Sequence, residues 1–331
     1  MQTLLTSHSP ELLALGLNPS WQKTLFFAHL QPGAVNRAER VRCEASGKGI
    51  NFAYAVQQAG GRATVVQFVG GATGEQLQAD LDGRGIPHLS IPVAGATRVC
   101  NTLLSGDDHV TTEVIEPAAE ILPAEFAALR EAVLARLPDA AALAICGTFP
   151  PGVPMSFAAE LVTVARQNGI PVQLDAYRGV APVLEAGVDI LKINATELRE
   201  LAGNPDMDTA AATIFSRYPA TTCLAVTDGP GAAHLFLHED RAHFRLTMPQ
   251  LPRVVNPIGA GDCTAGVFLL RLVQAGVPGM PLSELLPETV AGAFREALAC
   301  ASASCLEERP TTFAAAVAAR LRETIAIVQN Q

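Results

Sequence analysis

Short apolar runs alternate with amphipathic stretches along most of the chain. Thr64–Val69, Ala140–Cys146, Val172–Asp175, Ile190–Ile193 and Thr222–Thr227 are brief and mostly apolar, as buried strands are. Between them, Glu75–Arg84, Pro154–Gln167 and Gly261–Gln274 repeat apolar residues at helical spacing. Each is closed by a glycine, Gly85, Gly169 and Gly276. Shorter helices are predicted over Ile50–Ala59 and Thr196–Leu201. A β–α–β–α rhythm of this kind predicts parallel strands with helices on both faces. In such sheets, binding sites collect at the carboxyl ends of the strands. Cys146, Asp175, Lys192, Asn194, Thr227 and Asn256 fall at or just past predicted strand ends.

Two segments break the rhythm. Residues 22–46 and 97–117 are strand-like and alternate polar with apolar positions. Arg98–Leu104, the turn Ser105-Gly106-Asp107-Asp108, and Val110–Val114 read as a hairpin.

Composition narrows the function. The chain has 331 residues, 49% hydrophobic and 17% charged, enough for a sizeable core. It shows no internal repeat and no low-complexity tract. A net charge of −9 without a Lys/Arg cluster argues against nucleic acid and anionic membranes. An anionic substrate would need a few locally placed cations, for which Lys48, Arg37 and Arg98 are candidates. The seven cysteines are scattered without Cys-x-x-Cys spacing, as expected of buried reduced thiols. The N-terminus lacks a basic region followed by an apolar core, and no apolar run is long enough to span a membrane. A soluble, cytoplasmic protein is expected.

The chemistry concentrates in Val254-Val255-Asn256-Pro257-Ile258-Gly259-Ala260-Gly261-Asp262. An extended apolar pair enters a glycine-built turn and then a helix. Glycines let backbone N–H groups converge, and a helix N-terminus adds partial positive charge, so Gly259, Ala260 and Gly261 make an anion cradle. An aspartate in such a cradle is unfavourable unless it takes a proton from an alcohol attacking a bound phosphate. Its ordinary alternative is a helix-start carboxylate favoured by the dipole. Asn194 and Glu197 have capping-box spacing, and the cap is at least as strong a reading as a ligand role. Lys48, between Gly47 and Gly49, is a cation at a helix start and a second anion trap. Gly-x₄-Gly-Lys-Ser/Thr, a dinucleotide fingerprint and His-Glu-x-x-His are all missing, which excludes those nucleotide, dehydrogenase and zinc chemistries.

The run ending in Gly259-Ala260-Gly261-Asp262 resembles the signature of the PfkB/ribokinase family of carbohydrate kinases. Leu17-Asn18-Pro19, Pro32-Gly33, Val35-Asn36-Arg37, Ser46-Gly47-Lys48-Gly49-Ile50-Asn51, Cys146–Gly152 and Asn194-Ala195-Thr196-Glu197 follow in family order. They are most similar to the branch that includes 1-phosphofructokinase and tagatose-6-phosphate kinase. The resemblance covers about residues 13–306. It implies one domain over residues 1–331, a three-layer α/β/α sandwich with a mostly parallel sheet. Residues 22–46 and 97–117 would form a small β lid, often used for dimerisation. It implies transfer of the γ-phosphate of ATP to a sugar hydroxyl, with Asp262 as base. The acceptor would be a ketohexose phosphate of fructose-1-phosphate, fructose-6-phosphate or tagatose-6-phosphate type. Lys48, Arg37 and Arg98 would hold its phosphate. Asn51, Gly47, Gln22 and Thr148 would contact the sugar. Lys192, Thr227 and Gly229 would meet ATP, and Asn194 and Glu197 would hold Mg²⁺ through water. Two positions depart from the family pattern. Pro257 stands where Thr or Ser is usual, and Gln22 where an aspartate binds sugar hydroxyls. They leave open a kinase for an unphosphorylated sugar or nucleoside, and a catalytically weak sugar-phosphate sensor.

Overall fold

The structure, a computed structural model, describes residues 10–106, 110–238, 242–276 and 280–330. The first half runs β1 (Glu11–Leu15), β2 (Ser20–Phe27), β3 (Arg40–Ser46), α1 (Lys48–Gln58), β4 (Arg62–Val69), α2 (Gly71–Arg84), β5 (His88–Pro92), β6 (Val99–Ser105), β7 (Val110–Ile115), α3 (Pro123–Arg136), β8 (Ala142–Cys146) and α4 (Met155–Gln167). The second half runs β9 (Val172–Asp175), α5 (Ala181–Glu185), β10 (Ile190–Asn194), α6 (Ala195–Ala202), α7 (Met207–Arg217), β11 (Cys223–Asp228), β12 (Ala232–Leu237), β13 (His243–Thr247), α8 (Ala260–Ala275), α9 (Pro287–Ser304), α10 (Ala315–Thr324) and β14 (Ile327–Asn330).

Ten strands form the main sheet in the order β14-β13-β12-β11-β10-β9-β8-β1-β4-β5. From β11 to β5 neighbours run parallel; β12, β13 and β14 extend the sheet antiparallel. Alternation along β1 separates the two cores. Leu12 and Ala14 pack with α1, α8 and α9, whereas Leu13 and Leu15 pack with α3 and α4. Helices thus cover both faces, giving the three-layer arrangement expected.

The polar segments form a separate four-stranded sheet, β3-β2-β6-β7. Gln22, Thr24, Glu44, Cys100 and Thr102 share its buried face, as the register shows. The predicted hairpin is present as β6–β7; Asp107 and Asp108 of its turn lie outside the described residues.

Two close backbone approaches set the site. A Cβ on Gly16 would lie 2.6 Å from Gly49 Cα, so only glycines let the start of α1 abut the end of β1. A Cβ on Gly266 would lie 2.7 Å from the Phe52 carbonyl oxygen, so α8 crosses directly against α1. Two helices far apart in sequence therefore present their N-terminal turns side by side. Helix boundaries differ from expectation by a few residues. α2 begins at Gly71 rather than Glu75, and α1 at Lys48 rather than Ile50. Among the described residues, no helix is long and apolar enough to cross a membrane.

Candidate active site

The cradle lies where the chain enters α8. Gly259 is the N-cap, with φ +78°, a left-handed conformation costly for residues with a Cβ. Pro257 has no N–H, and the turn is held instead by Asn256. Its Oδ1 accepts from the Ile258 N–H at 3.0 Å, and its Nδ2 donates to the Glu308 carbonyl at 2.8 Å.

Asp262 follows in the first turn of α8, 8% exposed. Its Oδ2 accepts from Asn51 Nδ2 at 2.8 Å. Asn51, expected to contact the sugar, thus holds the carboxylate. Burial is the largest influence on Asp262 and pushes its pKa up to about 6. Asp175 adds to the rise, while Lys48, Asn51 and Lys192 oppose it. A carboxyl poised near 6 is mostly ionised at neutral pH yet more basic than ordinary aspartate, which suits a general base.

Lys48 Nζ donates to Asp175 Oδ1 at 2.9 Å, and its stem packs on Gly147. The Lys48 pKa is raised: partial burial works against the charge, but Asp175, Asp262 and Glu197 outweigh it. Asp175 is buried, yet Lys192 and Lys48 together hold its carboxyl below the usual range. Lys192, in the middle of β10, is buried, and a Cβ on Gly261 would lie 3.0 Å from its ammonium. Two lysines and two aspartates therefore meet beneath the start of α8.

Two cavities flank this cluster. One of about 580 Å³ is lined by Lys48, Arg98, Thr148, Phe149, Tyr177, Arg178 and Glu197 among others. The other, about 490 Å³, is lined by Thr227, Gly229, Pro257, Ala260 and Gly261, with apolar walls from Met248, Leu251, Val254 and Leu298. Arg98 reaches the first cavity while donating to the Asn18 carbonyl at 3.0 Å, and Asn18 donates to Thr148 Oγ1 at 3.1 Å. Gly47, with φ +126°, is the N-cap that delivers Lys48.

Asn194 and Glu197 form the capping box their spacing allows: Oδ1 of Asn194 accepts from the Glu197 N–H, and Oε2 of Glu197 from the Asn194 N–H, each at 2.9 Å. Among the described residues Glu197 Oε1 makes no hydrogen bond, and Glu197 lines the larger cavity. One carboxylate oxygen on a rigid helix start fits Mg²⁺ held through water.

Two expected substrate contacts, Gln22 to the sugar and Arg37 to its phosphate, line neither cavity. Gln22 is buried in the four-stranded sheet, where Nε2 donates to Thr102 Oγ1 at 2.7 Å. Arg37 is exposed in the β2–β3 connection and lines neither cavity. The sequence reading assigned no role to Asp175 beyond its strand-end position, and missed Tyr177 and Arg178. Arg178 lies 5.0 Å from the Tyr177 ring centroid, and of the apolar walls of the smaller cavity Met248, Leu251 and Leu298 come from segments with no local motif.

Comparison with known proteins decides the kinship. The profile described as pfkB family carbohydrate kinase matches residues 20–316. The chain belongs to that family. It is a phosphotransferase fold with an alcohol acceptor, a sugar kinase that uses ATP. A relative, the ATP-dependent 6-phosphofructokinase isozyme 2 of Mycobacterium tuberculosis, is 26% identical over 268 residues, 80% of this chain and 78% of the relative. Escherichia coli phosphofructokinase-2 in complex with fructose-6-phosphate superposes with a TM-score of 0.81 at 24% identity, covering 95% of this chain and 99% of the other. Ribokinase from Giardia lamblia superposes at 0.76 with 20% identity, over 92% and 96% of the two chains.

Proposed function

We propose that this PfkB kinase phosphorylates a ketohexose phosphate of fructose-1-phosphate, fructose-6-phosphate or tagatose-6-phosphate type, with Asp262 as general base. One observation carries the reading: Asp262, raised to about 6 and held by Asn51, follows Gly261, which lines the smaller cavity, and feels the charge of Lys48, which lines the larger. The larger cavity, with Lys48, Arg98 and Arg178, takes the acceptor and its phosphate. Arginines suit this task because their fork matches phosphate oxygens. The apolar walls of the smaller cavity take the adenine, and Ala260 and Gly261 lead from there to the reacting phosphate. The acceptor hydroxyl gives its proton to Asp262 while its oxygen bonds the γ-phosphorus and the bond to ADP breaks. Lys192 and the cradle amides offset the developing charge, so most of the rate comes from alignment and electrostatics. Mg²⁺, held through water by Glu197 and Asn194, would neutralise phosphate oxygens.

The test is ADP release from ATP with a panel of sugars, sugar phosphates and nucleosides, beside thermal shifts with the same compounds. Turnover and stabilisation by the same ketohexose phosphate are expected, since a true ligand stabilises by mass action. Preference for an unphosphorylated sugar or nucleoside would overturn the substrate class. A thermal shift without ADP release would mark a sensor.

A further inference from the structure

The mechanism above leaves the charge buried in the lid without a task. Glu44 on β3 is 2% exposed. Its Oε1 accepts from Arg42 Nε at 3.0 Å, and its Oε2 lies 2.9 Å from Arg309 Nε. The second contact is off the hydrogen-bonding line and acts as charge pairing alone. Arg309 belongs to the turn after α9, so the pair joins lid to body. Arg42 Nη2 donates to the Glu308 carbonyl, which also accepts from Asn256 Nδ2 at 2.8 Å. Arg40 adds an outer contact, 3.0 Å from the Glu308 carboxylate. The turn then passes to Pro310 and Thr311. A Cβ on Gly259 would meet their side chains at 3.3 and 3.0 Å. Thr311 is buried with φ +56°, a strained state for a β-branched residue that persists only where its surroundings fix it. Residues 308–311 thus touch the lid on one side and, through Asn256 and Gly259, the cradle on the other.

We propose that Glu44 and Arg309 are positioning residues that latch the lid to this turn and thereby set the cradle. The inference rests on the reading of Gly259–Gly261 as the phosphate cradle. A carboxylate buried in the lid is unfavourable without its cations, so the lid keeps its place only while the turn keeps its own. Acceptor held under the lid then steadies the cradle, and nucleotide in the cradle steadies the lid, because coupling between sites is reciprocal.

Arg309 is partly exposed, which makes it the better position to change. In full-length Arg309→Ala, kcat should fall about ten-fold while the acceptor KM stays within about two-fold, the scale of coupling through such networks. Arg309→Lys, which keeps the charge, should recover most of that loss. A second readout needs no turnover. Trp21, the only tryptophan, lies on β2 beside Gln22, which pairs with Glu44 in the lid register. ADP alone should change Trp21 emission in the native protein and not in Arg309→Ala. A wrong acceptor assignment leaves this arm intact. The latch is overturned by unchanged kcat in Arg309→Ala, by equal loss in Arg309→Lys, by an emission change that survives Arg309→Ala, or by none in the native protein.

Discussion

Asn51 Nδ2 donates to Asp262 Oδ2 at 2.8 Å, joining the first turns of α1 and α8 across 211 positions of sequence. The bond exists because Gly266 lets α8 lie directly on the Phe52 backbone. A hydrogen bond to a carboxylate favours its ionised form. Asn51 thus keeps a buried base from rising further and fixes where its free oxygen points.

Removing that donor should raise the Asp262 pKa. In Asn51→Ala, the acid limb of the kcat/KM profile should move above its native position near pH 6. A pH–rate series with the preferred acceptor measures it. A limb that stays in place would detach Asn51 from the base.

The same shift has a consequence for stability. The folded-state pKa of Asp262 is raised from 3.8 to about 6, so its stabilising contribution is full below 3.8 and lost as pH rises through 6. Asp262→Asn does not titrate. Its stability relative to the native protein should therefore improve by about 1–3 kcal/mol between pH 4 and pH 7. Denaturant melts at both pH values check this, and a constant gap would contradict the burial argument.

Asp175 works in the opposite direction. Its folded pKa is depressed, so its contribution is present above the unfolded value and lost as pH falls through the folded one. Asp175→Asn leaves Lys192 buried without that partner and frees Lys48. About 2 kcal/mol should be lost at neutral pH, below the range for fully buried pairs because the Lys48 side chain is 42% exposed. Urea midpoints of the two proteins measure it, and the gap should close in acid.

Gly261→Ala separates folding from chemistry. Alanine favours a helix over glycine, so the melting temperature should hold or rise. The new Cβ falls 3.0 Å from the Lys192 ammonium and displaces it. Turnover should drop about ten-fold or more, as for loss of one charge-stabilising donor. Steady-state kinetics beside a thermal melt would show whether the two effects part.

Much of this arrangement is legible in the sequence. Parallel strands, both helical layers and the polar strands of the smaller sheet follow from periodicity, because burial on one or both faces writes itself into residue spacing. The start of α8 is legible because Gly259 marks a left-handed N-cap and Asp262 falls in the first turn. Asn51, Gln22 and Lys48 were less so. Their spacing suggests substrate contacts but does not name their hydrogen-bond partners, Asp262, Thr102 and Asp175, which come from distant segments. Polar side chains take whichever partner the tertiary packing brings, and no local pattern names it. The capping box of Asn194 and Glu197 is the counter-example: its partners are three residues apart, so spacing alone specifies it.

The central claim is that Asp262 accepts the acceptor's proton. The most direct measurement compares acceptor-dependent ADP release by the native protein and Asp262→Asn, with ligand binding followed by thermal shift. Turnover should fall by ~10²–10⁴, the usual contribution of a positioned base, while both ligands still stabilise the variant. An Asp262→Asn protein that turns over at the native rate would contradict it.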